Sequence, residues 1–391
     1  MTGPLAGLKV IELGGIGPVP HAGLVLGDLG ADVVRVERGG SSLPEAYPEA
    51  NDSTLRNRTR IRADLRDERA REDILRLVDL ADVLIEGFRP GAVERLGLGP
   101  DVCLGRNPAL VYGRATGWGQ TGPRAGRAGH DINYLSVTGI LNNIGAAGGP
   151  PIPPLNLVAD FGGGSMFLVA GVLAALLERS RSGRGQVIDA AMTEGASVLA
   201  HMMWNLRGHD MWADGRGVNL LDGSCPFYSS YACSDGRHVA VGALEPRFFA
   251  ELMTGLGLGE AASAQWDRAG WPQLRDRMAQ AFATRTRDEW SDAFMGTDAC
   301  VTPVLTYDEA KNDPQLRSRR VIESIDGIDQ PMPAPRFSRT PADRPAPPAD
   351  ELADPRDVRE RWADQADQAD QADRGDRVEP VERVERVDPQ P

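Results

Sequence analysis

The chain has 391 residues, 41% hydrophobic and 6% aromatic, enough to bury a large core in about two domains. Its net charge is −13, but residues 350–391 alone hold 14 acidic and 7 basic side chains, so the body is only mildly acidic and nucleic acid is not an expected partner. No apolar run reaches the roughly 18 residues of a membrane span, and the opening Met-Thr-Gly-Pro lacks the charged-then-apolar order of a signal peptide; no membrane association and a cytoplasmic address are expected.

Residues 8–13 read as a strand, 20–30 as a helix and 31–37 as a second strand, a βαβ opening. The unit recurs, with a helical pattern over 71–80 leading into strand 82–86 and a further buried strand at 109–113. This alternation predicts an α/β fold with a Rossmann-like, helix-flanked parallel sheet. Gly15-Ile-Gly17, with Glu37 twenty residues beyond, imitates a dinucleotide fingerprint. Pro20 stands where the third glycine should be, and Pro18 and Pro20 remove N–H groups that would cradle a pyrophosphate, so nicotinamide or flavin is not expected. Residues 183–190 read as another strand, and 194–207 as one long apolar helix whose Met202, Met203 and Trp204 read as core.

Residues 208–223 are polar and glycine-bearing, and 228–243 form a hairpin pattern around Ser234-Asp-Gly236, followed by helical patterns over 248–256, 271–282 and 288–294. The expected organisation is a large domain over 1–207, completed by proline-rich extended chain at 331–360, a linker at 208–224 and a smaller α+β domain at 225–330. The Asp-Gln-Ala repeats after Trp362 predict a disordered or weakly helical acidic tail over 361–391.

Cys103, Cys225, Cys233 and Cys300 have irregular spacing, and the five histidines show no metal-ligand spacing, so neither disulfides nor a metal is expected. Two titratable residues carry a sharper signal. His130 follows Ala128-Gly129 and precedes Ile132, Tyr134, Leu135, Val137 and Ile140, the pattern of a loop entering an amphipathic helix with Asp131 near its cap. His130 would then sit at a helix N-terminus, where free N–H groups can receive a developing oxyanion. Asp160 closes Leu-Asn-Leu-Val-Ala-Asp at 155–160, just before three glycines. A satisfied structural histidine and a helix-capping aspartate are the competing readings.

At these two positions the sequence resembles the α-methylacyl-CoA racemase branch of the family III CoA-transferase superfamily. The likeness runs through Gly-Asp-Leu-Gly-Ala-Asp-Val-Val-Arg at 27–35, Gly-Phe-Arg-Pro-Gly at 87–91, Thr-Gly-Trp-Gly-Gln-Thr-Gly-Pro at 116–123 and Ala-Gly-His-Asp-Ile-Asn-Tyr at 128–134. It continues in the Asp160 motif, in 185–190, in Val-Gly-Ala-Leu-Glu-Pro at 241–246 and in 297–303, covering about residues 4–345. The resemblance implies the family fold, an interlocked homodimer with shared active sites, and a 2-methyl-branched acyl-CoA substrate, with CoA a part of that substrate and no separate cofactor. It implies that His130 and Asp160 are the acid/base pair, that the Asp131 N–H is the oxyanion donor, and that Glu245 supports His130 from the partner chain. Implied CoA contacts are Arg38, Ala63, Asp64, Leu65, Arg66, Gly87, Phe88, Arg89, Arg95, Gly129, His130, Asp131, Ile132, Asn133 and Tyr134, with Arg56 nearby. Two positions depart from the family pattern: Arg66 stands where a lysine is frequent, and Cys225 where a small apolar residue is usual.

Two rivals remain at this level. A CoA transferase would use an aspartate near Asp160 to carry CoA, but the glycine-rich loop of those enzymes is replaced here by Gly-Ala-Leu-Glu at 242–245. A non-catalytic acyl-CoA-binding protein would be expected to have lost His130, Asp160 or Glu245.

Overall fold

The computed structural model describes residues 2–38, 52–349 and 351–376. In chain order it opens with β1 (Lys9–Leu13), α1 (Pro18–Asp28), β2 (Asp32–Glu37), β3 (Arg58–Arg62), α2 (Glu68–Val78), β4 (Val83–Glu86), α3 (Ala92–Arg95), α4 (Pro100–Arg106) and β5 (Val111–Thr116). Next come α5 (Asp131–Val137), a π-helical segment (Leu157–Ser165), α6 (Met166–Ser182), β6 (Val187–Ala191), α7 (Met192–Leu199) and α8 (His201–Gly208). The chain continues through β7 (Tyr228–Ala232), β8 (His238–Gly242), α9 (Pro246–Gly255), α10 (Trp271–Phe282), α11 (Arg287–Phe294) and β9 (Val301–Pro303). It closes with α12 (Tyr307–Ala310), α13 (Pro314–Ser318), β10 (Ile322–Ile325), β11 (Ile328–Pro331) and α14 (Pro355–Asp376).

The six-stranded sheet has the order β3-β2-β1-β4-β5-β6, with β1 paired in parallel to both β2 and β4. Every residue of β1, β4 and β5 is buried, as expected of inner strands covered on both faces. The order reverses between β1 and β4, and in such sheets ligands collect outside the carboxyl ends of the strands at that switch. The strand patterns at 8–13, 31–37, 82–86, 109–113 and 183–190 are realised as β1, β2, β4, β5 and β6. No pattern announced β3, because Arg-Thr-Arg-Ile-Arg has one apolar residue. Two of its arginines pair with acids on the sheet: Arg58 Nε lies 3.2 Å from Glu12 on β1 and Arg60 2.9 Å from Glu37 on β2. Both Glu37 oxygens are engaged by Arg60 and Arg35. Burial opposes ionisation of Glu37, yet these two arginines hold its carboxyl below the ordinary range.

The chain divides into two compact units, one comprising the described residues of Met1–Arg114, Leu168–Ile188 and Pro333–Pro391, the other Ala115–Phe167 and Asp189–Met332. This differs from the division expected at 207/208 and at the linker 208–224. Residues 115–167 and 189–224 join the second unit because Tyr134, Leu135, Met192 and Ala196 form one apolar cluster. The linker is also tied down, Arg216 donating to the carbonyls of Gly149 and Asn142 and Asn219 accepting from the Ala213 N–H. The expected long helix at 194–207 is two helices, α7 and α8, meeting at Ala200. Its supposed core stripe is largely at the surface, with Met202 49% and Trp204 55% exposed. In the second unit β7, β8 and β9 make an antiparallel sheet against a core that includes Phe227, Phe249, Phe282 and Trp290. Cys225 is fully buried in that core and burial pushes its thiol up to about 11, so the departure at this position is one of packing.

The proline-rich segment runs along the first unit, Ala346 exchanging hydrogen bonds with Asn57 and the Ala353 N–H donating to Arg60. The tail beyond it is not disordered where it is described: α14 extends to Asp376, and Trp362 is fully buried. Its indole N–H donates to Asp32 at 2.9 Å and its carbonyl accepts from Lys9 Nζ at 2.7 Å. Repetitive composition concealed this anchor, and residues 377–391 of the expected tail lie outside the described residues. Among the described residues one helical stretch, Leu157–Ser182, is long and apolar enough to cross a membrane by length and composition, contrary to the expectation that no run qualifies. One face of α6 within it is a core face, with Leu168 and Val172 at the Cα of Gly113 on β5. Trp362→Ala should lower stability by about 3–5 kcal/mol in urea unfolding, the range for deleting a fully buried aromatic side chain.

Candidate active site

α5 begins at Asp131, and His130 occupies its N-cap with extended backbone and an exposed side chain. The chain holds this position by wedging Tyr134 between two glycines. A Cβ at Gly117 would lie 2.0 Å from the Tyr134 ring and one at Gly129 would lie 2.7 Å from it, so neither position admits another residue. The Tyr134 hydroxyl donates to the Gly129 carbonyl, and its ring meets Trp118 edge-on with centroids 4.9 Å apart. Asn133 reaches back to accept from the His130 N–H at 3.1 Å. The Asn133 and Tyr134 N–H groups turn back to the His130 carbonyl, leaving those of Asp131 and Ile132 as the donors that a helix start cannot satisfy within itself.

Asp160 lies in the first turn of the π-helical segment and is partly buried. Such segments are rare and concentrate at functional sites. Gly163 serves close packing: a Cβ on it would lie 2.5 Å from the Ala196 nitrogen, and one on Gly195 would lie 1.9 Å from the Gly163 carbonyl oxygen. Backbone therefore meets backbone between this segment and α7.

The two halves of the site are joined by a group whose side chain had no role in the sequence reading. Asp131 is buried, and its Oδ1 accepts from the N–H groups of both Ala159 and Asp160 at 2.8 Å. Its Oδ2 is buried with no hydrogen-bond partner. Burial and then the Asp131 charge raise the Asp160 pKa, while a long 3.5 Å bond from Asn156 and the nearby His130 oppose the shift. Burial thus favours a protonated Asp160, with the Asp131 charge an added cause. The only advance signal of that link was a carboxylate directly after the histidine.

Glu245 is the exposed N-cap of α9, and within the single chain no hydrogen bond or ion pair among the described residues joins it to His130. The implied CoA positions fall at the carboxyl ends of strands in the first unit: Arg38 after β2, Ala63–Arg66 after β3, and Gly87–Arg89 after β4, with Arg95 ending α3. Arg38, Asp64, Arg66, Arg89 and Arg95 are exposed, and Ala63 is buried. Gly87–Arg89 is held by buried Glu86, which accepts from the Phe88 N–H and from Arg114, both at 2.7 Å. Arg56 differs from the others. It is 4% exposed and its Nε donates to Asp28 at 3.0 Å, so it braces α1 and does not face a ligand.

Next to the π-helical segment is a cavity of about 480 Å³, with Ile140, Val158, Leu199, Met203, Trp204 and Trp212 in its wall and the Arg207–Asp214 ion pair among its few charges. Its volume and mixed apolar and sparse polar lining suit a small organic group.

The parallel six-stranded sheet with its switch point defines an α/β protein of the doubly wound class. The chain belongs to CoA-transferase family III, whose family model matches residues 5–352. It is 46% identical over 340 residues to alpha-methylacyl-CoA racemase of Mus musculus, spanning 86% of this chain and 87% of that protein. The Homo sapiens alpha-methylacyl-CoA racemase is 43% identical with the same coverage. Among solved structures, a CAIB/BAIF family protein from Brucella suis superposes with a TM-score of 0.78 at 29% identity, covering 93% of this chain and all of that one.

Because its folded pKa lies above that of an unfolded aspartate, Asp160 costs stability once ionised. That cost is absent below the ordinary aspartate value of about 3.9 and grows as pH rises through the raised folded value. Asp160→Asn should therefore melt higher than the parent at pH 7, with the difference vanishing near pH 3.5–4, as read by differential scanning calorimetry across that range.

Proposed function

We propose that the protein is an isomerase that interconverts the (R) and (S) forms of 2-methyl-branched acyl-CoA thioesters by 1,1-proton transfer at the α-carbon. The observation that carries this reading is the pairing of two chemically different proton carriers, His130 and Asp160, at a helix start with free N–H groups. The identity to racemases over most of both chains supports it.

The thioester oxygen accepts from the Asp131 N–H, which stabilises the enolate that forms when the α-proton leaves. Neutral His130 removes the proton from one enantiomer and protonated Asp160 returns one to the opposite face; in reverse the roles exchange. An Asp160 whose pKa is raised suits this task better than that of a transferase nucleophile, which must be ionised to attack. The nucleotide end of CoA is assigned to Arg38, Ala63–Arg66, Gly87–Arg89 and Arg95, and the thioester end to Gly129–Tyr134. Glu245 is assigned to support the imidazole of a second copy in a homodimer, which fits its exposed place at the start of α9. The acyl tail is assigned to the cavity beside Val158, whose Met203 gives it a flexible wall.

One enantiomer of a 2-methylacyl-CoA incubated in D2O with a free carboxylate acceptor tests the reading. Deuterium at the α-carbon with loss of chirality and no new thioester is expected. A new acyl-CoA made from the acceptor, with the α-hydrogen retained, would establish a transferase instead. His130→Ala and Asp160→Ala should each slow racemisation by about 10²–10⁴-fold, the usual worth of a general acid or base. Met203→Trp should raise KM about tenfold or more for long acyl chains while leaving 2-methylbutanoyl-CoA turnover near the parent rate, as expected of a filled pocket.

A further inference from the structure

Among the described residues, the Asp131 carboxylate is the one buried acid of the second unit with an oxygen that has no hydrogen-bond partner. A buried, ionisable group held in this way is expensive, and an isosteric amide could accept the same two bonds from Ala159 and Asp160 without the charge. The chain nevertheless places an acid here, between its histidine and its aspartate. Its single oxygen Oδ1 gathers two consecutive N–H groups of the π-helical segment, a geometry that fixes both the height and the rotation of Asp160 relative to the start of α5.

We propose that the Asp131 side chain is a positioning residue for Asp160, tying the π-helical segment to the His130 helix start and imposing a negative charge beside the second proton carrier. This role is separate from the Asp131 N–H, which belongs to the backbone and survives any substitution of the side chain, and it rests on the proton-transfer reading of His130 and Asp160. Two effects follow. The tether sets the distance between the two carriers, and the charge keeps Asp160 in its protonated form to higher pH, in accord with the direction of its shift. The titratable groups on the packed elements are His130 and Asp131 at α5 and Glu194 on α7, and Glu194 is exposed. Burial is the larger cause of the shift; of the charged neighbours, Asp131 adds to it and His130 acts against it.

Asp131→Asn and Asp131→Ala separate the two effects. Both catalytic directions draw on the same singly protonated pair, so the acidic limb of the kcat/KM profile reports the pair and not one residue. In Asp131→Asn that limb should move to lower pH by about one unit for both enantiomers, a tenfold change in proton concentration. In Asp131→Ala, which also loses both tethering bonds, the rate at the optimum should fall about 100-fold below that of Asp131→Asn, the scale of an ångström-level misplacement. An unmoved acidic limb in Asp131→Asn together with an Asp131→Ala rate within threefold of the parent would overturn the proposal. A 13C-carboxyl titration of Asp160 in the parent and in Asp131→Asn decides the charge effect without activity: a lower Asp160 pKa in the variant supports it and an unchanged one defeats it. That readout also distinguishes the proposal from the racemase reading, since a parent enzyme inert to α-proton exchange would sink the latter while leaving the titration intact.

Discussion

Three segments of this chain can meet only because side chains are missing at the points where they touch. Gly163 and Gly195 bring the π-helical segment against α7 at backbone distance, and Gly117 and Gly129 open the slot filled by Tyr134. A methyl group at any of the four would fall inside the van der Waals radius of a neighbour that is backbone or a ring locked in a packed cluster. The Asp131 bonds to Ala159 and Asp160, and the exposure of His130 at the helix start, are consequences of that close fit. The glycines therefore act as steric permissions, and the polar contacts that follow set the orientation.

The charges divide into two kinds with different physical roles. In the first unit, Glu12, Arg58, Arg35, Glu37 and Arg60 form an ion-pair network across β1, β2 and β3 that allows an arginine-rich strand to join the sheet. Arg56 and Asp28 repeat the device beneath α1. Such pairs are costly to break, because removing one partner strands the other charge in a low-dielectric interior. In the second unit the balance is incomplete: Asp131 and Asp160 are two acids close together, and burial together with that proximity raises the Asp160 pKa.

The periodic elements were legible in the sequence because their physics is local. Strands β1, β2, β4 and β5 announced themselves as apolar runs bounded by glycine, and α9, α10 and α11 by their helical spacing. The helix start at His130 was legible for the same reason, from an apolar repeat following a glycine lead-in. Failures occurred where pairing replaced pattern. β3 was hidden by its arginines, α14 by its repetitive Asp-Gln-Ala composition, and the break at Ala200 by an unbroken run of helix-forming residues. Met202 and Trp204 looked like core because hydrophobicity marks what avoids water without saying which surface covers it.

By itself, then, the amino-acid order determined the α/β class, the helix start at His130 and the motifs that place the chain in its family, since each depends on neighbours a few residues apart. Only the tertiary structure decided how residues 115–224 divide between the units, that Arg56 is an internal brace, and that Trp362 anchors the C-terminal segment. The link between His130 and Asp160 belongs to the second group as well. It runs through one carboxylate accepting from two N–H groups 28 and 29 residues away, and a hydrogen bond across that separation leaves no periodic trace in the sequence because it depends on packing and not on local conformation.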